Sequence, residues 1–207
     1  MPLKSIRLLP TTTQTPAGLI VTLHGWGANA EDLASLAPML DLPDYQFEFP
    51  NAPFPHPYVA GGKMWYDLES QDEQGLTESR QLLREWLLSL ESNTGIPLSR
   101  TILAGFSQGG AMTLDVGLTL PLAGLICLSG YLHFVPKASE RTLPPVLIVH
   151  GRLDTVVPVS AATRSRDALT AVGVPVQYHE FNMAHEIQPA VIDLMRSFVV
   201  EIRSNSN

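Results

Sequence analysis

Residues 101–111 read T-I-L-A-G-F-S-Q-G-G-A. An apolar run, Ile102 to Ala104, breaks at Gly105-Phe106-Ser107-Gln108-Gly109. The next residues, Gly110-Ala111-Met112-Thr113-Leu114, have the composition of the first turns of a helix. Where a buried strand turns abruptly into a helix, the two backbones crowd. Only small residues then fit two before and two after the corner. Such a corner would hold Ser107 proud of the sheet edge, with a helix N-terminus behind it that favours developing negative charge. A glycine-rich turn carrying a solvent-facing serine would show the same five residues, so the rest of the chain has to discriminate.

The remainder alternates short apolar runs with helical patterns. Residues 3–9 alternate loosely and read as an edge strand. Gly18 to Leu23, Tyr45 to Phe49, Ile102 to Ala104, Gly124 to Leu128, Val146 to Val149 and Val176 to Phe181 read as strands. Helices are expected over residues 31–40 behind an Asn29 cap, over 77–90, after Ser107, over 161–171 and over 188–202. The 203–207 tail reads as frayed. Continuously apolar internal strands belong to a parallel sheet covered on both faces. The expectation is one α/β domain over residues 1–207, with a mostly parallel central sheet, helices on both faces and no cap domain.

Composition removes several function classes. With 207 residues and 45% hydrophobic content the chain can bury a substantial core, and a net charge of −7 gives no basic face for nucleic acid. The single cysteine, Cys127, lies in the apolar run G-L-I-C-L and reads as a core residue. No intrachain disulfide can form, and no run of about 18 apolar residues occurs. A cytoplasmic protein without a membrane span is expected, as a monomer or homodimer.

In a parallel sheet, functional groups gather beyond the carboxyl ends of the strands. After Gly18–Leu23 comes His24-Gly25-Trp26-Gly27; after Ile102–Ala104 comes Ser107. After Val146–Val149 comes His150-Gly151-Arg152-Leu153-Asp154, and after Val176–Phe181 comes Met183-Ala184-His185. A serine, an acid and a histidine thus follow three strands in that order. A hydroxyl is a weak nucleophile that needs a base, and the base needs an acid to fix its tautomer. Five other histidines compete. His24 reads as a loop-shaping group, His150 as a core residue, His179 as a strand residue, and His56 and His133 as loop residues. Asp115 falls inside the helix after Ser107, away from the strand ends or packed against them. An oxyanion needs preorganised donors, for which the backbone N–H groups of Gln108 and Trp26 are placed. Met64 and Trp65, with Trp26, Leu132 and Phe134, are expected to wall an apolar substrate groove.

At these residues the chain resembles the carboxylesterase/phospholipase family of α/β-hydrolases, which includes acyl-protein thioesterases and lysophospholipases. The matching pieces are L-H-G-W-G at Leu23–Gly27, P-N-A-P at Pro50–Pro53, M-W-Y-D at Met64–Asp67, residues 95–111, H-G-R-L-D-T-V-V-P at His150–Pro158 and M-A-H-E-I at Met183–Ile187. The resemblance implies Ser107, Asp154 and His185 as a catalytic triad and Trp26 and Gln108 as oxyanion donors. It implies no metal or organic cofactor and a small acyl ester or lysolipid substrate. Segment 68–76 is shorter and more polar than the flap of the thioesterases proper, which puts a general carboxylesterase for short to medium acyl chains first. A lysophospholipase or acyl-protein thioesterase comes second, and a non-catalytic binding module on the same scaffold is less favoured. Among other enzymes on the fold, a serine peptidase stays open, while dienelactone hydrolases generally carry cysteine at the Ser107 position.

Overall fold

The inner strands are almost continuously apolar because each contributes to two cores at once. The computed structural model describes residues 3–12, 15–69, 74–134 and 142–205. In chain order the strands are β1 Ser5–Leu8, β2 Gly18–Leu23, β3 Tyr45–Pro50, β4 Phe54–Pro55, β5 Lys63–Met64, β6 Thr101–Phe106, β7 Gly124–Leu128, β8 Val146–Gly151 and β9 Val176–Phe181. The helices are α1 Ala30–Ala34, α2 Ala37–Leu40, α3 Gln74–Thr94, α4 Gln108–Gly117, α5 Val159–Ala171 and α6 Pro189–Asn205. Seven strands form one sheet in the order β1-β3-β2-β6-β7-β8-β9, parallel except for the antiparallel edge strand β1. A separate antiparallel hairpin joins β4 to β5.

Side chains alternate across the sheet with the period of two that a pleated strand imposes. Leu19, Val21, Leu103, Leu125, Cys127, Val146 and Ile148 face the core under α3, α4 and α5. Ile20, Ile102, Ala104, Ile126, Leu128, Leu147 and Val149 face the core under α1, α2 and α6. This is an α/β sandwich of three layers, and Cys127 is the buried core residue expected of it. Burial lifts the Cys127 thiol to about 12, which keeps it protonated and unreactive.

Several boundaries differ from expectation, the helices most. The helix expected over 31–40 is two short helices, because Ser35 and Leu36 close the first and Pro38 sits at the start of the second. Asn29 caps the first in a capping box with Asp32. The long amphipathic helix runs Gln74–Thr94, past the expected 77–90, and the last helix continues to Asn205 rather than fraying at Arg203. Among the described residues, no helix is inserted above the strand ends between β7 and β8. Parts of segment 68–76 and of the β7–β8 connection lie outside the described residues.

The β6–α4 corner is close-packed down to its backbone. A Cβ at Gly105 would collide with the Gly109 carbonyl, and one at Gly109 with the carbonyls of Leu23 and His24. Gly75, in the first turn of α3, has only ordinary contacts at 3.7–3.8 Å around the same position. Gly105→Ala is therefore expected to cost about 1–3 kcal/mol through overpacking. Gly75→Ala is expected to be neutral or slightly stabilising, since alanine is the better helix former. Urea denaturation of both variants checks this; a Gly105→Ala chain as stable as the wild type would contradict the packing described.

Candidate active site

The groups singled out in the sequence converge because their strands end side by side. Pairing of Leu23 with Gly105 and of Gly105 with Cys127 brings the exits of β2, β6 and β7 together, and Gly151 opposite Phe181 does the same for β8 and β9. Ser107 sits between β6 and α4 with φ 56 and ψ −118, a conformation strained for any residue with a Cβ. Its N–H donates to the Leu128 carbonyl at 2.8 Å, and the Ser107 carbonyl accepts from Ala111 N–H at 3.0 Å. The corner is thus held from both sides, and the hydroxyl points away from it.

His185 Nε2 lies 2.9 Å from Ser107 Oγ, and His185 Nδ1 lies 2.7 Å from Asp154 Oδ2. The second Asp154 oxygen accepts from the N–H groups of Val156 at 2.9 Å and Val157 at 2.8 Å. Burial by itself would raise the Asp154 carboxyl. The hydrogen bonds from His185, Val157 and Val156 outweigh it and hold the group below its usual range. Asp154 is therefore an anion with both oxygens engaged, and its charge favours a proton on Nδ1 of His185. That leaves Nε2 as the acceptor facing the hydroxyl. Phe106 packs on the His185 ring, with centroids 4.8 Å apart.

Behind this chain lies a histidine that reading by motif left in the core. His150 is fully buried; its Nε2–H donates to the Val157 carbonyl at 2.8 Å and lies 3.4 Å from Asp154 Oδ2. It braces the same turn that grips the acid.

The Gly-rich loop after β2 is fixed by His24. Its Nδ1–H donates to the Gly25 carbonyl at 2.8 Å, and its Nε2 accepts from Ala52 N–H at 3.0 Å, a pattern that one neutral tautomer satisfies. Burial lowers its pKa and keeps that form. Gly27 N–H donates to Lys63 O and Lys63 N–H to Ala28 O, at 2.9 and 2.8 Å, so the loop is zipped to the β4–β5 hairpin. The half-buried Trp26 packs edge-on to His56, with centroids 4.2 Å apart.

Gln108, the first residue of α4, is buried and uses its side chain as a clamp. Trp65 N–H donates to Oε1 at 2.9 Å, and Nε2 donates to the Tyr66 carbonyl at 2.7 Å. Its backbone therefore has little freedom to move.

Trp65 does not wall a groove. It is 0% exposed, its Nε1–H donates to the His24 carbonyl at 3.0 Å, and its carbonyl accepts from the Ser79 hydroxyl. The indole is an anchor between the β2 loop and α3, and its polar edge is satisfied internally, which a substrate-facing ring would not need. Met64 is half-buried in the hairpin opposite Phe54. Leu132 packs on the core, and the half-exposed Phe134 lies under the Arg80 guanidinium at 4.4 Å.

Sequence reasoning also missed a second polar cluster. Arg80 donates to Asp115 Oδ2 from Nε and Nη2 at 3.0 and 2.7 Å. His133 Nδ1 lies 2.6 Å from the same oxygen, and His133 Nε2 lies 2.8 Å from the Tyr66 hydroxyl. Tyr66 in turn shares a 2.7 Å hydrogen bond with the Tyr131 hydroxyl. One signal was available: Asp115 is the only Asp, Glu, Lys or Arg between Arg100 and Lys137. Among the described residues, no group of three or more His, Cys, Asp or Glu side chains could hold a metal ion, and no helix is long and apolar enough to cross a membrane.

A serine hydroxyl hydrogen-bonded to an imidazole, itself held by an anionic carboxylate, can perform acyl transfer. Comparison with known proteins points the same way. The family model described as "Phospholipase/Carboxylesterase" matches residues 10–202. The chain is 33% identical over 208 residues to acyl-protein thioesterase 1 of Neurospora crassa, covering 89% of this chain and 83% of that protein. Against acyl-protein thioesterase 1 of Saccharomyces cerevisiae it is 29% identical, covering 87% and 90%. Among solved structures, esterase PE8 is 32% identical with a TM-score of 0.88, covering 98% of this chain and all of that one. Zea mays acyl-protein thioesterase 2 is 25% identical with a TM-score of 0.79, covering 97% and 99%. With the matched model spanning nearly all of the sheet and every strand-end loop, the chain belongs to the phospholipase/carboxylesterase family of α/β-hydrolases and is a serine hydrolase.

Proposed function

We propose that the chain hydrolyses acyl esters and thioesters through a covalent acyl-enzyme on Ser107. The observation that carries this reading is the hydrogen-bond chain from Ser107 Oγ through His185 to Asp154, at 2.9 and 2.7 Å. Ser107 Oγ adds to the acyl carbonyl as His185 Nε2 takes its proton, and Asp154 stabilises the imidazolium. The N–H groups of Gln108 and Trp26 receive the oxyanion. His185 then protonates the departing alkoxide or thiolate. Water, deprotonated by the same nitrogen, releases the acid and restores the serine.

The substrate class proposed first is the acyl thioester or lysophospholipid. The curated relatives named above are acyl-protein thioesterases, and that likeness weighs more than the short 68–76 segment. A short- to medium-chain carboxylesterase is the second reading, favoured by the close likeness to esterase PE8 along the whole chain. Values of kcat/KM along p-nitrophenyl esters and matching S-acyl thioesters, from acetate to palmitate, separate the two. Each buried acyl CH₂ contributes about 0.8 kcal/mol, or roughly fourfold in kcat/KM. A rise through palmitate with thioesters ahead is expected. An optimum at butyrate to octanoate without thioester preference would establish the second reading, and a flat profile would refute an apolar acyl groove.

Two substitutions test the machinery. Ser107→Ala is expected to fold and to lose roughly four to six decades of kcat. Asp154→Asn is expected to cost up to ~10⁴ in kcat by favouring the wrong His185 tautomer. Its effect on stability has a sign. Because the folded-state pKa of Asp154 is lowered, its contribution is present above the unfolded value of about 4 and disappears as pH falls through the lower folded one. Thermal melts should show the wild type losing its advantage over Asp154→Asn on acidification below about pH 4. An advantage that grows on acidification would contradict the direction of the shift.

A further inference from the structure

We infer that Asp115, His133 and Tyr66 are positioning residues for the oxyanion donor Gln108, an inference that rests on the acyl-transfer reading above. Asp115 and Gln108 lie seven residues apart on α4, two turns along one face. Tyr66 is attached to that helix at both places. Its carbonyl accepts from Gln108 Nε2 at 2.7 Å, and its hydroxyl reaches His133 Nε2 at 2.8 Å, with His133 Nδ1 at 2.6 Å from Asp115. Main chain and ring of one residue are thus stapled to the start and the middle of the helix whose first N–H is to receive the oxyanion.

The cluster is well buried. The Asp115 side chain is 4% exposed and that of His133 12%. The carboxylate takes two hydrogen bonds from Arg80, on α3, so its charge is compensated. The same cluster fixes the loop after β7. Tyr131 bonds to Tyr66, Leu132 N–H donates to Ser165 Oγ at 3.0 Å, and Phe134 lies under Arg80. That loop begins one residue beyond Leu128, whose carbonyl holds Ser107 N–H. Both flanks of Ser107 therefore lead into one hydrogen-bonded cluster.

Asp115, His133 and Tyr66 repeat the acid–imidazole–hydroxyl order of the proposed triad, yet they do not form a second reaction centre. Burial, the neighbouring Tyr131 and Asp115 push the Tyr66 hydroxyl well above the usual phenol range, so it stays protonated. Tyr66 is also buried, with its hydroxyl bonded to Tyr131 on the other side. A protonated, buried phenol is a hydrogen-bonding strut. Its consequence for catalysis is geometric. A donor aimed at the oxyanion acts in the transition state and hardly at all on the bound ground state, so loosening it lowers kcat and leaves KM.

The test is a double-mutant cycle on the Tyr66–His133 bond. Tyr66→Phe removes the hydroxyl and keeps the ring and carbonyl. In His133→Asn the amide nitrogen stands in for Nδ1, which keeps a donor for Asp115 and gives up the reach to Tyr66. Fluorophosphonate titration counts competent sites, so kcat per titrated site is independent of the fraction folded. Each single variant is expected to lose about threefold to tenfold in that kcat, the size of one hydrogen bond, with KM unchanged. The double variant is expected to be no slower than Tyr66→Phe, which already removes the bond to His133 together with the one to Tyr131. Unchanged kcat per titrated site, whatever the melting temperature does, would overturn the inference. So would losses that multiply in the double variant, or a rise in KM at constant kcat. A wild-type chain that the phosphonate fails to titrate would instead refute the acyl-transfer reading itself.

Discussion

The contacts of α4 with β6 and with the end of β2 admit no side chain at Gly105 and Gly109 respectively, and this exclusion governs what the neighbouring residues can be. With the strand and helix backbones in direct contact, the linking residue has no relaxed conformation available, and Ser107 takes a positive φ. The strain, of order 1–3 kcal/mol, is held by the apolar cores on both sides of the sheet. What it yields is a hydroxyl raised above the sheet edge at the start of a helix, within 2.9 Å of an imidazole.

Around that corner the strand-end loops are tied to each other by buried hydrogen bonds. His24 joins the β2 loop to Ala52, Trp65 joins the hairpin to the His24 carbonyl, and Gln108 joins α4 to the peptides of Trp65 and Tyr66. Each of these groups is buried, and each would cost free energy if left unpaired, so the loops are held in one arrangement. The polar network thereby does for the site what the apolar cores do for the sheet.

The middle of the sheet was legible because β2, β6, β7 and β8 are almost continuously apolar and alternate between two cores, as at Ile102, Leu103 and Ala104. The convergence of Ser107, Asp154 and His185 was legible because parallel strands deliver their following loops to one edge. Trp65 was misread for a physical reason. A tryptophan in a loop can face substrate or anchor the loop, and only the partners of its N–H and its neighbours decide. The break in the expected 31–40 helix was partly visible in Pro38, whose ring suits a helix start better than an interior. The Arg80–Asp115–His133–Tyr66 cluster was hidden because its members come from α3, α4 and two loops, 67 residues apart along the chain for Tyr66 and His133. The lone charge at Asp115 was its one trace in the sequence.

The central claim is that turnover passes through an acyl group on Ser107, and trapping that species tests it most directly. Rapid acid quenching during hydrolysis of an S-acyl thioester, followed by intact-mass measurement and peptide mapping, would reveal it. A mass increase of one acyl group, confined to the peptide containing Ser107 and chased away when substrate is exhausted, is the predicted result. Full turnover without an adduct under conditions where deacylation is slowed, or an adduct mapped to any other residue, would contradict the account.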